Sequence, residues 1–366
     1  VKSDNVGINF WEKKNMQRSA KIGIGAAAVV VIAGGIYAAT QQSTKKSSGY
    51  AVALVTDGGG IDDRSFNQSA WEGLQAYGKA NDLKQGKGGY NYFQSTDTSD
   101  IKTNLQTAVK GGYKLVYGVG FAAAPAVTSV AKANPKTNFA IIDAVITKKN
   151  VASLTFKTEQ SSYLAGVAAA KQSKSGTVGF VGGIHGDVID TFEAGFKAGV
   201  KATNANIKVL TQYTDSFTDA AKGKTIAASM TANGADVIFQ AAGGAGNGVF
   251  AEAKAENQKE SASSDKKIWV IGVDRDQKTD GNYKDKDGKS SNFTLVSAVK
   301  RVDSAVEDVA TKAKNDKFPG GKTITYGLKE KGVSLSKDSA SSSVWSAVQS
   351  AQKKIIAGDI KVPIHP

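Results

Sequence analysis

Cysteine is absent from all 366 residues, and that one absence removes whole classes of chemistry. No disulfide, thiolate metal site, cysteine nucleophile or acylated internal cysteine can be built from this chain. Histidine is nearly absent too, since only His185 and His365 occur and their spacing is not that of a metal pair. A histidine metal site or a Ser-His-Asp triad would have to form around His185, because His365 is the penultimate residue. A lone turn histidine is the simpler reading. Proline numbers five against forty glycines, which points to many tight strand–helix turns rather than a proline-rich disordered polymer.

Arginine is scarce as well: Arg18, Arg64, Arg275 and Arg301 are the only four, although the formal net charge is +14. Surfaces that fork phosphates or read bases favour arginine. The location of the charge also argues against nucleic acid. Residues 1–48 hold seven basic and two acidic residues, a net +5, and the remaining +9 is dispersed over the body as isolated lysines. A solvated basic surface, suited to an anionic cell envelope, is the expected meaning.

The longest uncharged apolar run is Ile22–Ala39, preceded by Lys13, Lys14, Arg18 and Lys21 and followed by the polar linker QQSTKKSSG. A positive flank, an apolar core and a polar exit mark an export signal or a single membrane anchor. The expected organisation is a basic cytoplasmic segment at 1–21, a signal or anchor at 22–39 and a linker at 40–49. The rest is expected on the extracytoplasmic face of the cell membrane, or secreted if the segment is cleaved. Ile32-Ala33-Gly34-Gly35 resembles a lipoprotein processing box with glycine at the acylated position, so thioether lipidation cannot occur there.

From Tyr50 onward, short apolar runs alternate with segments of helical period. Strands are expected at 50–56, 114–119, 138–143, 151–156, 177–182, 207–213, 235–241, 267–273 and 293–299. Helices are expected at 65–81, 101–110, 123–133, 160–171, 188–201, 218–233 and 247–257. This alternation predicts an α/β fold of parallel sheets with helices on both faces. Continuous runs such as VIFQA and WVIGV suit strands buried on both sides. The pattern divides into two α/β units facing a hinged cleft.

Three strand ends carry an aspartate: VTD at Asp57, IID at Asp143 and GVD at Asp274. Any one of them could simply cap the next helix. Ligands of open α/β sheets, however, bind beyond the carboxyl ends of strands, where all three would lie. Enzyme motifs fare worse. GGAGNG at 243–248 has the wrong spacing for a dinucleotide fingerprint, although a backbone nest remains open to it. The two GKT triplets have Thr218 and Asp316 where a P-loop needs glycine. Asp62 and Asp63 are adjacent and point apart, a poor acid–base pair; with Arg64 they are expected to form a turn and helix cap without touching a ligand.

The surviving features suit recognition without chemistry. Carboxylates hold vicinal hydroxyls through charge-assisted hydrogen bonds. Phe66 offers a stacking face, and the Asn67 amide can both donate to and accept from a base edge. The alternative for Phe66 is packing at a helix start. Together the aspartates, phenylalanine and asparagine suit a nucleoside better than a peptide or a metal.

The stretches VTDGGGIDDRSFNQSAWEG (55–73), IID, FEAGFKAGV (192–200), FTDAAKGK (217–224), ADVIFQAAGGAGNGV (235–249), GVDRDQ (272–277) and SAVKRVD (297–303) occur in one order. In that order they resemble the basic membrane protein family, the purine-nucleoside-receptor type of ABC-transporter substrate-binding proteins. The resemblance runs from Tyr50 to the end. It implies a type I periplasmic-binding-protein fold of two Rossmann-like lobes, the first formed by 50–157 plus 291–318, the second by 158–290 plus 319–366. It further implies that Asp57 and Asp274 bind ribose and orient the ligand, and that Phe66 and Asn67 stack on and hydrogen-bond the base. Asp143 and Lys300 would be further polar contacts and Phe217 a second stacking aromatic. Gly243, Gly244 and Gly246 would line the pocket as backbone. The implied ligand is a purine nucleoside and the implied partners are an ABC permease and ATPase, with no cofactor and no catalytic residue. A nucleoside hydrolase or phosphorylase-like enzyme, or a surface sensor or adhesin using the same fold, is the competing expectation. The missing acylated cysteine departs from the family and shifts any tethering to Ile22–Ala39.

Overall fold

A computed structural model describes residues 49–366; the expected anchor and the basic segment before it lie outside the described residues. The first half of the body alternates strands and helices as β1 (Val52–Val55), α1 (Phe66–Ala80), β2 (Tyr90–Phe93), α2 (Asp100–Lys110), β3 (Leu115–Gly118), α3 (Ala124–Ala133), β4 (Asn138–Ile142) and β5 (Val151–Phe156). It continues through α4 (Thr158–Gln172), β6 (Thr177–Gly182), α5 (Asp187–Thr203), β7 (Lys208–Tyr213), α6 (Ala220–Ala232), β8 (Val237–Ala241), α7 (Gly246–Asn257) and β9 (Trp269–Asp274). A short hairpin of β10 (Asn282–Lys284) and β11 (Ser290–Asn292) follows. The chain ends with β12 (Thr294–Lys300), α8 (Val302–Lys314), β13 (Thr323–Tyr326), β14 (Val333–Leu335) and α9 (Ser342–Ala357).

Among the described residues, the strands form two six-stranded sheets, ordered β13-β5-β4-β3-β1-β2 and β14-β12-β9-β8-β6-β7. Within these two sheets every pairing is parallel except that of β12 with β14; the β10–β11 hairpin is antiparallel and stands apart. Both sheets are covered on both faces, as parallel sheets must be. In β1, Val52 and Leu54 pack with Leu74 and Tyr77 of α1 and Val306 of α8, whereas Ala53 and Val55 pack with Ile101 and Leu105 of α2. In β6, Phe180 meets Leu164 and Phe196, while Val181 meets Ile226 and Met230 on the other face. Helices α4 and α5 touch backbone to backbone. A β-carbon at Gly166 would lie 2.2 Å from the Phe196 carbonyl oxygen, and one at Gly199 2.1 Å from that of Tyr163.

The chain passes from one lobe to the other between β5 and α4, between β12 and α8, and between β13 and β14. This corrects the expected division. Residues 294–300, expected in the first lobe, form β12, which pairs with β9 and β14 of the second sheet. Residues 323–326, expected in the second lobe, form β13, which extends the first sheet beside β5. The crossing falls after β12 rather than before it, because β12 is hydrogen-bonded into the second sheet while α8, which follows it, buries its apolar face on the first. Edge strands β2, β13 and β14 and helices α8 and α9 were not among the expected elements. No helix of the described residues is long and apolar enough to cross a membrane.

Candidate functional site

The carboxyl ends of the strands converge on a cavity of about 290 Å³ between the two sheets, near the lower end of the roughly 300–1,000 Å³ usual for small-molecule sites. Asp57 follows β1, Asp143 follows β4, and Asp274 and Lys300 end β9 and β12, so each side chain leaves its sheet at the position the α/β rule requires. Phe66 and Asn67 open α1 at the same wall, while Phe217 and Gly243 come from the loops after β7 and β8. Eight of the ten expected residues therefore line one cavity. Gly244 and Gly246 do not. Gly246 starts α7 against Gln240, whose Oε1 would lie 2.0 Å from an added β-carbon, and Gly244 faces the Phe217 carbonyl and Asp63.

The glycine turn after Asp57 is used locally: the Gly59 amide donates to Asp57 Oδ1 at 2.8 Å. Asn67 Nδ2 donates to the same oxygen at 2.9 Å and to Asp63 Oδ2 at 3.0 Å. An inverted amide would aim its oxygen at two carboxylates, so the orientation is electrostatically determined. Asn67 Oδ1 is then left buried and without a partner among the described residues. Both amide hydrogens being committed, Asn67 can only accept from a ligand, which narrows the expected donor-and-acceptor role.

Asp63 is a stronger feature than expected. Its carboxylate caps α1, accepting from the amides of Ser65, Asn67 and Gln68 at 2.7, 2.9 and 3.1 Å, and it also lines the cavity. Burial pushes the Asp57 and Asp63 carboxyls above the usual range, against the pull of those hydrogen bonds. Asp274 is buried, and desolvation raises it to about 6 despite the opposing field of Lys300 and the hydrogen bond from Ser65. Asp143 and Asp274 both sit in the left-handed region, at φ 66° and 63°; aspartate tolerates that conformation better than most residues.

Lys300 is the one cation lining the cavity among the described residues. Its side chain is 2% exposed and bonded to that of Asp143, which is 7% exposed. Its ammonium also lies over the Phe66 ring, 4.6 Å from the centroid. Across the cavity, Phe217 meets Phe121 edge-on at 6.2 Å. Phe121 was missed, although it stands just beyond β3 in YGVGF and the strand-end argument applied to aspartates would have reached it. Also missed was the apolar wall of Ile184, in the loop after β6, with Val188, Ile189 and Phe192 in the first turns of α5; the three helix residues read as core. Chemically, the site offers carboxylate acceptors, flat apolar faces and one buried amide oxygen.

Comparison with known proteins agrees with this architecture. The family model for Bmp, the PnrA-like ABC transporter substrate-binding proteins, matches residues 50–365. An ABC transporter nucleoside-binding protein, BmpA, from Lactococcus lactis subsp. cremoris is 55% identical over 85% of this chain and 88% of its own. A CD4+ T-cell-stimulating antigen of Listeria monocytogenes is 54% identical over 87% and 90%. Among solved structures, an ABC transporter solute-binding protein from Aeropyrum pernix superposes with a TM-score of 0.70 at 25% identity, covering 86% of this chain and 93% of that one. With its two parallel sheets enclosing a solute-sized cavity, the chain belongs to the Bmp family of PnrA-like ABC transporter substrate-binding proteins.

Proposed function

We propose that this protein captures a purine nucleoside in the interlobe cavity and delivers it to an ABC permease from the extracytoplasmic face of the membrane. The observation that carries the reading is that Phe66 and Asn67, whose buried Oδ1 has no partner among the described residues, line a cavity ringed by carboxylates. An unsatisfied buried acceptor is costly without a donor, and the N–H groups of a base supply one. Phe66 and Phe217 would flank the base, and Asp57 and Asp274 would accept from ribose hydroxyls. Asp143 and Lys300 would complete the polar wall. A single ammonium already bonded to Asp143 leaves the surplus of carboxylates poorly suited to a phosphate group, which favours nucleosides over nucleotides.

An open form binds, the lobes close about their crossings, and the permease reads the closed form. Tethering falls to the apolar segment at residues 22–39. Calorimetric titration with inosine, guanosine, adenosine and uridine tests the ligand class, and the nucleoside is expected back intact. Phe66→Ala is expected to cost about 1–3 kcal/mol of affinity through lost stacking. Stabilisation by sugars or amino acids and by no nucleoside would overturn the proposal, and an unchanged titration of Phe66→Ala would remove that residue from the site.

A further inference from the structure

The stretches 63–72 and 272–280 grip each other from opposite lobes. Arg64 adopts φ 61°, and the turn it makes before α1 leaves the carbonyls of Asp63 and Arg64 outside the helix's own hydrogen bonding. Both are taken by side chains of the second lobe: Asn247 Nδ2 donates to the Asp63 oxygen at 3.2 Å, and Gln277 Nε2 to that of Arg64 at 3.1 Å. Gln277 is itself held, accepting at Oε1 from Gln240 Nε2 and the Val273 amide, each at 2.8 Å. The Arg64 guanidinium reaches Asp280 at 3.3 Å, and the Ser65 hydroxyl donates to Asp274. Farther along α1, Glu72 receives a forked pair from Arg275, Nε at 3.0 Å and Nη2 at 2.7 Å. Arg64, Glu72, Asn247, Arg275, Gln277 and Asp280 all stand outside the cavity lining.

We propose that these residues are a clasp that sets the stability of the closed arrangement, and hence how long the ligand stays, with Asn247 and Gln277 as positioning residues. The clasp rests on the reading of capture by lobe closure. Contacts made only when the lobes meet raise the closed population, and apparent affinity scales with that population. Formed after encounter, they slow dissociation and leave association unchanged.

Because the chain contains no cysteine, Lys102→Cys and Ala221→Cys, in the exposed first turns of α2 and α6, accept spin labels at unique positions. Interlobe distances are then measured in the full protein with and without inosine. In Glu72→Ala, Arg275→Ala and Asn247→Ala the closed-to-open ratio is expected to fall about two- to fivefold, as for a partly exposed polar pair. Inosine dissociation should quicken by a similar factor at constant association rate. The Glu72→Ala/Arg275→Ala double variant should be no worse than either single one, and the exchanged pair Glu72→Arg/Arg275→Glu should recover the ratio. Unchanged ratios in the single variants, additive effects in the double one, or a parent that never populates the closed distance would overturn the clasp. A parent that closes without ligand but responds to none of inosine, guanosine, adenosine and uridine would instead overturn nucleoside capture, and the ligand-free ratios would still decide the clasp.

Discussion

Asp274 concentrates the conflict between burial and charge. Its folded pKa, pushed up to about 6 from 3.8 by desolvation, means that between those values the folded protein holds a proton the unfolded chain has released. Stability from this group is therefore full below the unfolded pKa and is lost as pH rises through about 6, a difference of about 3 kcal/mol at neutral pH. Asp57 and Asp63, raised by the same cause, act in the same direction. These groups should make the ligand-free protein unfold at lower temperature near pH 7.5 than near pH 5. Asp274→Asn should flatten that dependence while keeping the acceptor for Ser65. A melting-temperature series against pH checks this, and an equally steep curve for the variant would contradict it.

Helices α4 and α5 show what an element's sequence conveys and what it hides. Both were expected from helical periodicity, with boundaries within three residues of those observed. What their sequences did not announce is that the glycines serve contact between backbones. Gly166→Ala places a β-carbon against the Phe196 carbonyl and forces the helices apart. A loss of about 1–3 kcal/mol is expected, as for other overpacked cores, read from the urea midpoint. A neutral substitution would show that the helices slide freely. The strands tell a similar story: the apolar run of β12 announced a strand, but pairing with β9 and β14 placed it in the second sheet.

On the scale of the whole molecule, Lys300 and Asp143 join the two sheets through a pair of buried charges. Burying such a pair is close to neutral when both partners are present, but removing one leaves an uncompensated charge. Lys300→Met is expected to cost about 3–5 kcal/mol, and Lys300→Met/Asp143→Leu to recover most of it. Chemical denaturation of the three proteins checks this, and a single variant as stable as the parent would show that water reaches Asp143. The lysine that lies over Phe66 thus has its charge answered by Asp143.

The sequence by itself determined the chemistry that is absent, the alternation of strands and helices, and the aspartates and aromatics standing at strand ends. These follow from residue types and from periodicities of two and 3.6, which act over a few neighbours. Only the tertiary structure decided which sheet β12 and β13 join, that Phe121 faces Phe217, and that Gly244 and Gly246 stand outside the cavity. It alone brought Arg64 against Gln277 and Glu72 against Arg275, contacts spanning 213 and 203 residues of chain. Such contacts are selected by the shapes of two assembled lobes, and a periodicity of a few residues carries no information about which distant segment will meet it.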